Sequence, residues 1–226
     1  MIRVLESSGL TDVDAFCTTT GVFASATQND KVLTLIRRVK SRTNNFTKVA
    51  CVNSISRSYV EGKININEAI LKIQNIKDSP PYPALARIAW AAVASFCFAI
   101  MFGGSYFDAA NAFIAATFMQ IPVFFLAKYD VVAVLLNIIG GLLSGVFGII
   151  ILNIGLGQNI NYIIIGAIMP LVPGVSLTNA IRDVLQGDLL SGSSRMLDAA
   201  LVAVSIAAGV GAALTTWINL FGGIVL

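Results

Sequence analysis

The sequence predicts an α-helical membrane protein: about five transmembrane helices preceded by a small α+β domain. Three observations lead there. The 226-residue chain is 56% hydrophobic and only 12% charged, whereas soluble domains are about 45–50% apolar and about 25% charged. The charge is segregated: of fifteen Lys and Arg, twelve fall between Arg3 and Arg87 and only Lys128, Arg182 and Arg195 lie beyond. The C-terminal part contains apolar stretches of the roughly 20 residues needed to cross a bilayer.

The N-terminal part, residues 1–79, reads as a cytoplasmic α+β domain. VDAFCTT, GVFASATQ and VLTLIRRV have the composition of short strands, with Gly21 and Asn29-Asp30 supplying the turns. A helix is expected from about Asn45 to Val60, ending at Glu61-Gly62. Asn65, with Glu68 three residues on, resembles a capping box for a second helix. In that helix Ile66, Ala69, Ile70, Ile73 and Ile76 repeat near a 3.6 period. Residues 80–83, rich in proline, form the linker. The basic run Arg37, Arg38, Lys40 and Arg42 reads most simply as a solvated strand end near lipid headgroups.

Residues 84–226 form the membrane part, with spans at about 84–103, 107–127, 131–152, 160–182 and 195–216. Arg87 sits at the end of the first span, where it can snorkel. Every basic residue of the connecting segments falls on the side of the N-terminal domain. The positive-inside rule then puts that domain in the cytoplasm and the C-terminus outside, with Trp217 at the outer interface. Stripes of small residues, Gly140/Ser144/Gly148, Gly141/Gly145 and Ala199/Ala203/Ala207/Gly211, suit close helix packing. They serve contacts within the chain or an interface with a second subunit.

The fourth span is interrupted at Pro170 and at Pro173-Gly174. Proline removes a helical hydrogen bond and clashes with the preceding turn. Such breaks persist in lipid only where protein or a watery cavity satisfies the freed backbone. Counting about 100° per residue from Thr178, Arg182 falls at about 40°, Gln186 at 80°, Asn179 at 100° and Asp183 at 140°. The restarted half-helix thus carries a polar stripe, with Leu177, Ala180, Ile181 and Val184 opposite. Its N-terminus points into the membrane, as in transporters that hold an anionic substrate group. Thr178, Asn179, Arg182 and Asp183 are the candidate substrate-binding residues. The alternative for Thr178 and Asn179 is capping of the restarted helix, and for Arg182 and Asp183 a bracket at the cytoplasmic end. Ionisable groups near a span are functional suspects, so Asp108, Asp188, Arg195 and Asp198 are candidates for coupling or gating. Asp188 and Arg195 are expected in a short loop. Asp198 is expected in the first turn of the last span, where it could pair with Arg195.

No histidine is present, and Cys17, Cys51 and Cys97 are scattered. This argues against His-based triads, metal sites and disulfides. No cofactor motif, Walker A sequence or G-x-S-x-G appears. A membrane-anchored hydrolase is therefore the weakest of three readings, behind a regulatory or scaffold subunit and a transporter. The net charge of +3 fits a domain near an anionic leaflet better than a nucleic-acid binder.

The run PLVPGVSLTNAIRDVLQGDLLSGSSRMLDA (Pro170–Ala199) resembles the signature of the bacterial threonine/serine exporter family. FGGSYFDAANAF (Phe102–Phe113), RRVKSRTNNFTK (Arg37–Lys48) and NSISR (Asn53–Arg57) are similar to other segments of it. The resemblance implies export of threonine and serine, or of succinate in two-component members. It implies location in the bacterial inner membrane. It also implies a second membrane half, on a separate smaller subunit in split members, of which this chain resembles the larger subunit. Thr19-Thr20-Gly21 stands where the family has Pro-Thr-Gly, and Asp198 where it has Glu. The family domain opens with a helix ahead of the first strand. This chain enters near that helix's end, as a fragment or a misassigned start would.

Overall fold

The computed structural model describes residues 1–39, 44–80, 82–129 and 131–222. Lys40 and Arg42 of the basic run, Pro81 of the linker and Asp130 of the second-to-third connection lie outside the described residues. The chain divides into two compact units, Met1–Pro81 with Asp188–Ser191, and Tyr82–Gly187 with Gly192–Leu226.

In the first unit, α1 (Ile2–Glu6) precedes an antiparallel meander of β1 (Thr11–Cys17), β2 (Gly21–Gln28) and β3 (Lys31–Arg38), in that spatial order. Asn29 and Asp30 both adopt positive φ, 50° and 59°. This is the two-residue turn whose twist matches a hairpin, and Asn and Asp tolerate it. β1 is bulged between Thr11 and Asp14, where Asp12 has φ 48°. Helix α2 (Phe46–Val60) is capped by Asn45, whose side chain accepts from the Lys48 amide. Helix α3 (Ile66–Asp78) is capped by Asn65, which accepts from the Glu68 amide at 2.8 Å. The expected capping box is only half formed, because the Glu68 carboxylate pairs with Lys72 at 2.8 Å instead.

The second unit is helical: α4 (Ala84–Met101), α5 (Tyr106–Leu126), α6 (Ala133–Asn153), α7 (Ile160–Ile168), α8 (Gly174–Leu185) and, from Gly192 on, α9 (Leu189–Phe221). Four of these helices, α4, α5, α6 and α9, are long and apolar enough to cross a bilayer. The bent pair α7–α8 makes a fifth if counted as one broken span. The final helix corrects the expected boundary. It starts at Leu189 and not near 195, so Arg195 is helical and Asp198 lies in the third turn. LLSGSSR contains no proline, and its glycine, Gly192, is where α9 presses on α8. A Cβ there would meet Val184 Cγ2 at 2.5 Å and the Ala180 carbonyl oxygen at 3.0 Å.

Small residues make up much of the core of this unit, beside Met119, Ile149 and Ile163, as expected where lipid supplies no hydrophobic drive between helices. Ala109, Ala112, Ala115 and Ala116 of α5 are fully buried. A Cβ on Gly166 of α7 would lie 2.8–2.9 Å from Ala112 Cβ, Ala99 Cβ and the Ser95 carbonyl oxygen, so three helices converge there. The two glycine stripes of α6 face different neighbours. Gly140 and Gly148 meet Leu171 and Ile164, whereas Gly141 and Gly145 meet Ile206 and Ala213 of α9. Both therefore serve contacts within the chain. Ala203, Ala207 and Gly211 of the third stripe are exposed, and Gly211 has nothing within 4 Å of a built Cβ.

Gly141→Ala places a methyl 2.4 Å from the Ile206 carbonyl oxygen, which is backbone and cannot swing aside. The expected loss is about 1–3 kcal/mol of helix-bundle stability, read as a lowered melting temperature in detergent. Gly211→Ala, in open space, is expected to leave it unchanged or slightly raised.

Candidate functional site

The break is built by three consecutive backbone events. After α7 the chain tightens into a 3₁₀ turn over Met169–Leu171, closed by the Val172 amide donating to the Met169 carbonyl. Pro173, with no N–H, stands at the start of α8. The Gly174 amide donates back to Val172 at 2.9 Å, and the Leu177 amide donates to the Pro173 carbonyl at 3.0 Å. The amides between them, of Val175 and Ser176, belong to the first turn, which helices leave without intrahelical acceptors. The two halves of the span meet at 64°.

Thr178 does not cap the restarted helix. Its hydroxyl donates to the Gly174 carbonyl at 2.9 Å, one turn back, and Pro173 caps without any side-chain bond. Thr178 and Arg182 are exposed, and Asn179 is half-buried. Arg182 makes no ion pair among the described residues. Asp183 leaves the stripe's open side. Its Oδ2 lies 3.0 Å from Arg195 Nε on α9, with 20% and 38% of the two side chains exposed. That nitrogen has no aligned hydrogen-bond acceptor, so the contact is an ion pair off the N–H axis. The buried flank of α8 is Ala180, at 0% exposure, where Gly192 closes on it. Leu177, Ile181 and Val184 keep 40–48% exposure, so the expected apolar side of α8 is largely uncovered by this chain.

A groove of about 550 Å³ lies beside the break. Its walls are Ile164, Ile165 and Ile168 of α7, Val172 and Pro173, and Ala203, Ile206, Ala207, Val210, Gly211 and Leu214 of α9, with Asn161 as the polar side chain. It is an apolar groove, and Thr178, Asn179, Arg182 and Asp183 do not line it. Within this chain the polar stripe therefore has no facing wall in that groove.

Asp108 is placed elsewhere and used fully. It is 2% exposed at the start of α5. Oδ1 accepts from the Gln158 and Asn159 amides at 2.8 and 3.0 Å, and Oδ2 from the Ser105 hydroxyl and amide at 2.8 and 3.1 Å. Asn111, one turn on, donates to the Leu156 carbonyl at 2.6 Å. Together they clasp the α6–α7 connection to α5. The spacing S-x-x-D at Ser105–Asp108 carried a signal for the Ser105 bonds alone, because it is a capping-box pattern. Asp188 immediately precedes α9 in the segment that clusters with the first unit. Asp198 lies on α9 and is exposed.

Comparison with known proteins decides the family. Residues 1–217 match the family model described as "Putative threonine/serine exporter". The chain belongs to that family. It is 23% identical over 221 residues to the "Probable threonine/serine exporter" of Mycobacterium tuberculosis, covering 92% of this chain and 40% of that protein. It is 25% identical over 209 residues to the "Threonine/serine exporter" of Corynebacterium glutamicum, covering 89% and 42%. The chain thus spans about two-fifths of the length of these curated relatives. No solved structure matches. Family and apolar helices together make this threonine/serine exporter family member a multi-pass membrane protein.

Two substitutions separate clasp from pair. Asp108→Asn turns an amide NH₂ toward backbone donors and is expected to cost about 2–3 kcal/mol in detergent melts. Arg195→Ala removes a half-exposed pair, and in a double-mutant cycle with Asp183→Ala its coupling is expected at about 0–1 kcal/mol.

Proposed function

We propose that this chain is one subunit of a secondary exporter in the bacterial inner membrane, moving a small carboxylate-bearing metabolite out of the cytoplasm under an ion gradient. Threonine and serine, the substrates named for its relatives, are the first choice, and succinate the second. The observation that carries the reading is the 64° break in a span of a family-matched chain, with the start of α8 just past it. Free amides and the helix dipole at such a start favour a negative group. Thr178, Asn179 and Arg182 follow on the same side, and Asp183 sets the far edge of the stripe. Pro170, Pro173 and Gly174 keep the break open.

The stripe's residues do not line the α7–α9 groove, and the chain has two-fifths of its relatives' length. A second, smaller membrane subunit supplies the stripe's facing wall in this reading, and the α7–α9 groove with its exposed small residues suits one of its helices. In the same reading the N-terminal unit is cytoplasmic and the C-terminus outside. Asp188, the Arg195–Asp183 pair and Asp198 gate the α8–α9 hairpin, and Asp108 latches the opposite junction.

Efflux of labelled threonine, serine and succinate from cells carrying this chain, with and without its partner subunit, tests the proposal. Efflux of at least one is expected, and none, with the protein confirmed in the membrane, overturns the exporter reading. Arg182→Ala is expected to lower efflux at least about tenfold, as for a lost charge-assisted bond, at unchanged membrane level. Unimpaired efflux removes Arg182 from the site.

A further inference from the structure

Arg87 on α4 and Lys128, just past α5, lie far apart in sequence but converge on one aromatic ring. The Arg87 guanidinium carbon is 5.3 Å from the Phe124 ring centroid, and Lys128 Nζ is 5.1 Å from it and 5.2 Å from that of Phe125. Phe124 is half-buried, so it is a fixed platform, while both cations are exposed. Cation–π contact steers their heads but does not neutralise them. Two like charges gathered on one ring repel each other, and neither makes an ion pair among the described residues. Asp130 lies outside those residues.

The depth of this cluster is marked independently. Trp90, one helical turn from Arg87, is 71% exposed, and Tyr129, next to Lys128, is 79% exposed. Tyr82, just ahead of α4, is 58% exposed. Exposed Trp and Tyr at the end of a membrane helix gather at the headgroup level. Arg and Lys reach the same level with their stems along the apolar surface. Basic clusters between spans at that depth suit anionic lipid headgroups.

We propose that Arg87, Lys128 and Phe124 form a seat for the phosphate of an anionic membrane lipid between the ends of α4 and α5. The guanidinium presents paired donors to the phosphate oxygens and the ammonium a point charge. The ring holds both heads in place, and the acyl chains follow the exposed apolar sides of the two helices. The seat is independent of the exporter reading and needs no transport activity to be tested.

The test uses the purified full chain in a neutral detergent. Binding is followed by native mass spectrometry and by melting temperature. Phosphatidylglycerol, phosphatidylcholine with the same acyl chains, and inorganic phosphate are compared. Phosphatidylglycerol is expected to stay bound and to raise the melting temperature above the phosphatidylcholine value, and inorganic phosphate alone is expected to do neither. The double variant Arg87→Gln/Lys128→Gln is expected to weaken phosphatidylglycerol binding about 30-fold, the loss of two headgroup contacts. Lys72→Gln, in the first unit, is expected to leave it unchanged. Equal binding of the two lipids overturns the proposal, as does an unchanged preference in the double variant. An effect reproduced by inorganic phosphate alone overturns the lipid assignment. Should the double variant fail to fold, each single variant is expected to lose about fivefold, and full preference in both overturns the seat.

Discussion

Backbone contact at glycine is the constraint on which the membrane unit depends. Lipid tails are as apolar as the helices they surround, so burying leucine against leucine gains little, and van der Waals contact at close range must hold the bundle. Gly166 shows the consequence. The absence of its side chain lets α7 touch Ala99 and the Ser95 carbonyl on α4 and Ala112 on α5 at once. Any methyl there would separate three helices together. Gly209 and Gly141 do the same between α6 and α9, where a built Cβ would strike the Ile138 and Ile206 carbonyl oxygens. Alanines of α5 line much of the remaining contact with α4 and α7, while Ile149, Ile160 and Ile164 fill the α6–α7 side.

That tight scaffold makes the broken span tolerable. Pro122 also sits inside a membrane helix, yet α5 runs through it from Tyr106 to Leu126. One proline removes one hydrogen bond, which neighbouring turns can absorb. Pro170 and Pro173, three residues apart and followed by Gly174, remove donors from successive turns, so the helix cannot resume its old axis. The Met169 amide donates to the Gly166 carbonyl and the Val172 amide to the Met169 carbonyl, so 3₁₀-type bonds serve the two carbonyls that the prolines leave without a helical donor. α7 stays fixed at Gly166 while α8 leaves at 64° and docks on α9 through Ala180 and Gly192.

Much of this was legible in the sequence. Apolar runs located the spans, and the Asn29-Asp30 turn and the Asn65 cap placed elements of the first unit, because each is a local rule. The position of the break followed from proline chemistry alone. What escaped was set by contacts between distant residues. Gly192 looked like part of a loop, and only its packing on Ala180 explains why α9 begins six residues earlier than expected. Asp183 looked like a member of the polar stripe, but its partner is on the next helix. Asp108 read as a coupling candidate because an acid near a span usually is one. Its four donors come partly from a loop some fifty residues away that no local pattern announces.

The same contacts fix the sign of the stripe. A helix carrying Arg182 and Asp183 side by side is neutral by count, and its N-terminal dipole would then be the main electrostatic feature. The Asp183–Arg195 pair changes that balance, since Asp183's charge is compensated from α9 while Arg182 has no ion pair among the described residues. The exposed side of α8 is left with one uncompensated cation, about two turns after the amides of its first turn. Those amides carry the positive end of the dipole. The exposed side of α8 is therefore positive at both places, and its one acid, Asp183, is already held by Arg195.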